Sequence, residues 1–142
     1  MKLSENFTLE ELTYSKTAED LNIDNTPSEE IIDKLTLLCE KILQPVRDKF
    51  GTSIFVTSGY RCPELNKVLK GSSTSQHRFG EAADIVTKEN DRKHNKELFN
   101  LIKEMIEDGE ITVGQLINEY NYDWIHISLP SNKHTNQIIA IK

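Results

Sequence analysis

The sequence predicts an α+β fold with helices packed on a small, mostly antiparallel sheet. Three observations carry that prediction. Helix-period apolar patterns dominate the first half of the chain, strand-like runs dominate the second, and no regular βαβ alternation links them. The 142 residues suit one domain, residues 1–142, with no linker, repeat or low-complexity tract to divide it.

The first helix is marked by a T-x-x-E capping box, Thr8 with Glu11, and by Phe7 and Leu12 placed as a hydrophobic staple. A long amphipathic helix is expected from Ser28, with Ile31, Leu35, Leu38, Ile42 and Val46 at helical spacing and Gly51 as its stop. Pro45 falls inside that pattern and should kink or divide it. Ile54 to Thr57 reads as a buried strand ending at Ser58-Gly59. Pro63 can open a short helix carrying Leu65, Val68 and Leu69, followed by a loop over Gly71 to Ser75. Ala82 to Val86 is a short strand. A helix with Leu98, Leu101, Ile102, Met105 and Ile106 on one face follows and stops at Gly109. The remaining strands are expected near Thr112–Ile117, Trp124–Leu129 and Gln137–Ile141.

Composition narrows the function. The formal charge is −6 with acidic and basic residues interspersed, which disfavours nucleic-acid binding and offers no polybasic patch for a membrane surface. No run is long enough to insert in a membrane, and the N-terminal residues show no apolar signal-peptide core. Cys39 and Cys62 form no CxxC pair and are expected to be small, semi-apolar residues of a reducing compartment. Ser58 lacks a G-x-S-x-G elbow, so no serine nucleophile is indicated.

The informative segment is Ser75-Gln76-His77-Arg78-Phe79-Gly80-Glu81-Ala82-Ala83-Asp84. On a straight helix His77 and Asp84 would lie ~10 Å apart along the axis, too far to share an ion. A turn at Gly80 leading into a strand would bring Asp84 back beside His77. In Trp124 to Leu129, alternation puts Ile125, Ile127 and Leu129 toward the core and Trp124, His126 and Ser128 on the opposite face. Two histidines and a carboxylate form a catalytic-type zinc set, with one tetrahedral position left open. The competing interpretation is that these are hydrogen-bonded structural residues. The other histidines are plainer: His94 sits in the charged run Lys88 to Lys96, expected to be a solvated helix start, and His134 in an exposed polar turn.

The chain resembles the zinc D-Ala-D-Ala peptidases of the M15 family, which act on bacterial cell walls. Their signature S-x-H-x-x-G-x-A-x-D is matched by Ser75, His77, Gly80, Ala82 and Asp84, and their later W-x-H by Trp124 and His126. Further similar stretches are Phe7–Leu12, Leu43–Arg47, Ser58–Arg61 and Gln115–Ile117. The resemblance implies the fold of DD-peptidases and hedgehog-like domains, with zinc on one side of the sheet held by His77, Asp84 and His126. It implies a peptidoglycan stem peptide as substrate, cut at D-Ala-D-Ala or, as in some phage lysins, at L-alanyl-D-glutamate. A catalytically silent zinc- or wall-binding module is the rival from another class.

Arg61 is placed to stabilise an oxyanion or grip a carboxylate, with a structural ion pair as its alternative. Ser75 and Gln76 would bind substrate or shape their loop. Relatives carry a carboxylate three residues before the last histidine, which makes Asp123 the expected general base and Glu119 its rival. Strict alternation would point Asp123 away from His126, so the expectation requires a bulge or late strand start. The absence of a visible signal peptide beside a wall substrate would fit a phage or prophage enzyme released by other means. A monomer is expected.

Overall fold

The computed structural model describes residues 1–142 and contains the expected helix-then-sheet order. A small hairpin precedes the first helix: β1 (Lys2–Ser4) pairs antiparallel with β2 (Phe7–Thr8). Thr8 then caps α1 (Leu9–Thr13), its hydroxyl accepting from the Glu11 amide at 3.2 Å. Phe7 and Leu12 are both fully buried beside it. Ser15 caps α2 (Lys16–Asp20), a short helix that lacks a long enough apolar pattern to announce itself.

The long helix expected from Ser28 forms in three pieces. α3 (Glu29–Leu38) runs into a π-helical turn at Cys39–Leu43, and α4 (Gln44–Phe50) follows to the left-handed cap at Gly51. Pro45 explains the interruption. Its ring has no N–H and would crowd the carbonyl four residues back, so the backbone widens by one residue just ahead of it. The apolar stripe survives, with Leu35, Leu38, Ile42, Leu43 and Val46 all inaccessible. Cys39 lies in this layer, where burial pushes its thiol up to about 12 and leaves it inert.

After β3 (Ile54–Ser58) and α5 (Pro63–Val68), a 3₁₀ turn (Gln76–Phe79) enters β4 (Ala82–Thr87). In α5 only Leu65 of the expected apolar face is buried; Val68 and the following Leu69 are exposed. Cys62 caps this helix through a 3.4 Å contact from the Leu65 amide to its sulfur. α6 (Arg92–Glu107) buries Leu98, Ile102, Met105 and Ile106, and β5 (Gln115–Glu119), β6 (Trp124–Ser128) and β7 (Gln137–Ile141) complete the chain. β5 begins later than its apolar run suggested. Thr112 to Gly114 precede the paired segment, although Gly114 still donates to Ser128 O at 2.7 Å.

The main sheet has strand order β3-β4-β6-β5-β7. Every pairing is antiparallel except β5 with β7. Ala83, Ile85, Ile125, Ile127 and Leu116 join the helical residues in one continuous core. The register sets Asp84 opposite His126 and His126 opposite Ile117.

One buried polar knot ties α6 to the sheet. The Asn95 carbonyl oxygen accepts from the Thr87 amide at 3.0 Å and its hydroxyl at 2.9 Å, and the Asn95 amide donates to Tyr122 O at 2.9 Å. Truncation would strand these groups inside the protein. Asn95→Ala should therefore lower unfolding stability by about 1–3 kcal/mol, read as a reduced urea midpoint with an unchanged denaturant slope.

Candidate metal centre

Gly80 explains how His77 and Asp84 meet. It ends the 3₁₀ turn with φ of +71°, a left-handed conformation that side-chain-bearing residues adopt at a cost. The chain reverses there and enters β4, where Asp84 faces His126 across the ladder. The result is a compact trio. His77 Nε2 lies 3.3 Å from Asp84 Oδ1, and His126 Nδ1 lies 3.1 Å from the same oxygen. One ligand atom from each residue lies within 4.8 Å of the others.

Protonation geometry favours a cation in this space. His77 Nδ1 is 2.8 Å from Gly59 O, a carbonyl that can only accept, so that nitrogen carries the proton. His77 Nε2 is then the ring atom that faces the Asp84 carboxylate, donating to it when it carries a proton and free to hold a cation when it does not. A tetrahedral ion with bonds of about 2.0–2.1 Å spaces its ligands by about 3.3 Å, close to the two histidine–Asp84 separations. The two imidazoles and the carboxylate thus fit a metal of zinc's size and donor preference. The Gly59 contact is the kind of outer hydrogen bond that orients a metal-binding histidine.

The Asp84 carboxyl feels opposing effects. Burial pushes its pKa up, but hydrogen bonds from His126 and His77, with their charges, outweigh burial and hold it well below the ordinary carboxylate range. Its other oxygen lies 3.6 Å from Arg61 Nη2. Arg61 also donates from Nε to Ser58 Oγ at 3.0 Å, so the ion pair foreseen as an alternative exists, while the side chain still lines the cleft.

The trio sits in a cleft of about 540 Å³ lined mainly by polar residues. Ser75 and Gln76 line it and both shape the loop. Ser75 Oγ accepts from the His77 amide at 3.3 Å, and Gln76 Nε2 donates to Leu129 O at 3.3 Å. Glu119 also lines the cleft, with one oxygen accepting a short hydrogen bond from the Trp124 indole. Burial, then the Asp84 charge, pushes the Glu119 pKa up, against the Trp124 bond and the two histidines.

Asp123, the expected general base, is placed apart from the trio. It lies outside this cleft, its exposed carboxylate paired with Arg92 Nε at 3.0 Å. The reason is backbone geometry. Tyr120, Asn121 and Tyr122 all have positive φ, and β6 starts only at Trp124, so no bulge rotates Asp123 toward His126. Tyr60 and Tyr122 pack in or against the core, while Tyr120 meets Trp124 at a tilt with ring centroids 5.1 Å apart; none lines the cleft. His94 does lie at a helix start, beside the α6 cap Asp91. His134 departs from expectation: it is half-buried and borders the cleft. Gln115, at the start of β5, borders it too, as do Ser72, Thr74, Ser131 and Lys133, which sequence reasoning missed because isolated polar loop residues have no periodicity to read.

A peptidase M15 family model matches residues 5–128, spanning both halves of the trio. The chain belongs to the peptidase M15 family. No curated protein matches it. As a family member it is a peptidase, and the trio of this M15 peptidase comes from the two segments that carry the S-x-H-x-x-G-x-A-x-D and W-x-H patterns.

The Asp84 environment gives a signed pH dependence. Because the folded carboxyl lies below its unfolded value, its stabilising effect is complete above the unfolded range, about pH 4. It is lost as pH falls toward the depressed folded value. Metal-free protein should therefore be more stable than its Asp84→Asn variant at neutral pH, with the gap narrowing below about pH 4, measured by urea unfolding across a pH series.

Proposed function

We propose that this chain is a zinc-dependent peptidase hydrolysing peptidoglycan stem peptides, most directly at D-Ala-D-Ala. The observation that carries the reading is the convergence of His77, Asp84 and His126 in a polar cleft that also holds Glu119 and Arg61. Membership of the M15 family supports the substrate class.

When bound, zinc would supply Lewis-acid polarisation of a scissile carbonyl and acidification of water. The chain's residues would do the rest. Gly59 O holds His77 in the tautomer that leaves Nε2 as a donor atom. Arg61, steadied by Ser58 and Asp84, presents a guanidinium to developing negative charge. Glu119 is the proton carrier we assign, in place of Asp123. Its raised pKa suits a group that takes a proton and returns it, and the Trp124 indole orients it. Asp123 instead anchors its turn to Arg92.

The enzyme would act on the wall, as a monomer, after release from the cell that makes it. No helix of the protein is long and apolar enough to cross a membrane. Cleavage at L-alanyl-D-glutamate would keep the same chemistry and shift the peptide by its register in the cleft.

Mass spectrometry of muropeptides digested by zinc-loaded protein tests the proposal and reads the bond directly. Release of a terminal D-alanine supports the first assignment; a cut after L-alanine gives the endopeptidase. No cleavage despite stoichiometric zinc would overturn the enzyme reading in favour of a binding module. Glu119→Gln should lower kcat by about 10²–10⁴-fold while retaining one equivalent of zinc by elemental analysis, and Asp123→Asn should keep most activity. His126→Ala should instead lose the zinc.

A further inference from the structure

The loop between β6 and β7 brings three polar residues, Ser131, Lys133 and His134, to the border of the cleft that contains the trio. The loop is a closed, hydrogen-bonded turn. The Ser131 amide donates to His134 O at 2.9 Å, the His134 amide to Ser131 Oγ at 3.2 Å, and Thr135 Oγ1 to Ser131 O at 3.3 Å. Both of its ends are tied to the body of the protein. Leu129 donates to Glu81 O at 2.8 Å, and Asn136 donates to Val113 O at 2.6 Å while its own side chain accepts from the Val113 amide. Lys133 is thus carried on a built platform rather than a free strand of chain.

The charges around the cleft are otherwise committed. Arg61 is held by Asp84 and Ser58, Glu81 pairs with Lys34 at 3.7 Å, and Glu119 is bonded to Trp124. Lys133 has no carboxylate of the chain within ion-pair distance, although the protein as a whole is acidic. An unpaired lysine in one hydrogen-bonded turn with Ser131 and His134, at the border of a cleft of about 540 Å³, complements an anionic group of the ligand.

We propose that Lys133, accompanied by Ser131 and His134, forms a carboxylate-recognition subsite that selects acidic peptide substrates. This rests on the peptidase reading for the identity of the ligand as a peptide, but the subsite makes its own prediction. The carboxylate could be the peptide's C-terminus or an acidic side chain. Both present the same planar, doubly accepting anion to the ammonium.

The test uses N-acetyl-L-alanyl-D-glutamate as probe, in four forms: the diacid, the amide of each carboxylate alone, and the diamide. Binding to the zinc-loaded full chain is measured by calorimetry. The diacid should bind about three- to tenfold more tightly than the diamide, the range expected for one partly exposed charged contact. Lys133→Met should remove the part of that preference due to this contact, and Lys133→Arg should retain it. Whichever single amide reproduces the loss identifies the source of the carboxylate. Equal binding of all four forms to the native chain, or a preference that persists unchanged in Lys133→Met, would overturn the subsite; the latter outcome would assign carboxylate recognition to the metal or Arg61. The peptidase reading fails separately, on muropeptides that bind with the acid preference and are never cut.

Discussion

Antiparallel pairing of β4 with β6 is the constraint from which the rest of the site follows. It sets Asp84 directly across from His126, and their contact closes at 3.1 Å. Side chains alternate along a strand, so a slip of one residue would turn either member to the opposite face. The register is held by apolar neighbours. Ala83 opposite Ile127 and Ile85 opposite Ile125 are all fully buried on the helical side of the sheet. Core packing thereby specifies which polar residues meet on the other side. The third member arrives by a different route, through the left-handed turn at Gly80. An added Cβ there would come within 2.9 Å of Ile31 O, so both conformation and space restrict the position.

This arrangement places a costly cluster where it can be sustained. Asp84 is buried with two histidines and one arginine around it, and an isolated carboxylate in that position would favour its neutral form. The surrounding donors reverse that preference, leaving an anion between imidazoles. Gly59 takes part twice. Its carbonyl orients His77, and its α-carbon passes so close to α1 that a Cβ would fall 2.2 Å from Leu12 O. The N-terminal helix, with its Thr8 cap and buried Leu12, is in this way tied to the geometry of a histidine far along the chain.

Much of this was legible in the residues. The α+β class and the capping box follow from periodicity and turn chemistry, and the family motif singles out His77, Asp84 and His126, the three residues that the fold brings together. What could not be read locally was the division of the long helix by a π turn and the late start of β5, where tertiary pairing outweighs the apolar pattern. The position of Asp123 outside the cleft was unreadable for the same reason. Its distance from His126 in sequence matched a family pattern, yet its direction is decided by three consecutive left-handed residues that no spacing rule reveals. His134 and Lys133 escaped notice because their relation to the cleft is set by where the β6–β7 loop is tied down, at Glu81 and Val113.

The β5–β6 turn also shows how the protein sustains backbone strain near its site. Tyr120, Asn121 and Tyr122 occupy a region where bulky residues are disfavoured. Each restraint on them comes from a different element. Asn118 accepts from the Tyr122 amide at 2.6 Å, Tyr120 donates to Ile141 O in β7, and Asn95 in α6 donates to Tyr122 O. Arg92 holds Asp123 from the same helix, and Phe99 packs edge-on against Tyr122 at 5.7 Å. The opposing ends of the turn are Glu119 and Trp124, register partners joined by their own side-chain hydrogen bond. α6 thus does more than cover one face of the sheet. By clamping a turn that would otherwise relax, it holds Glu119 toward the cleft and keeps Asp123 out of it.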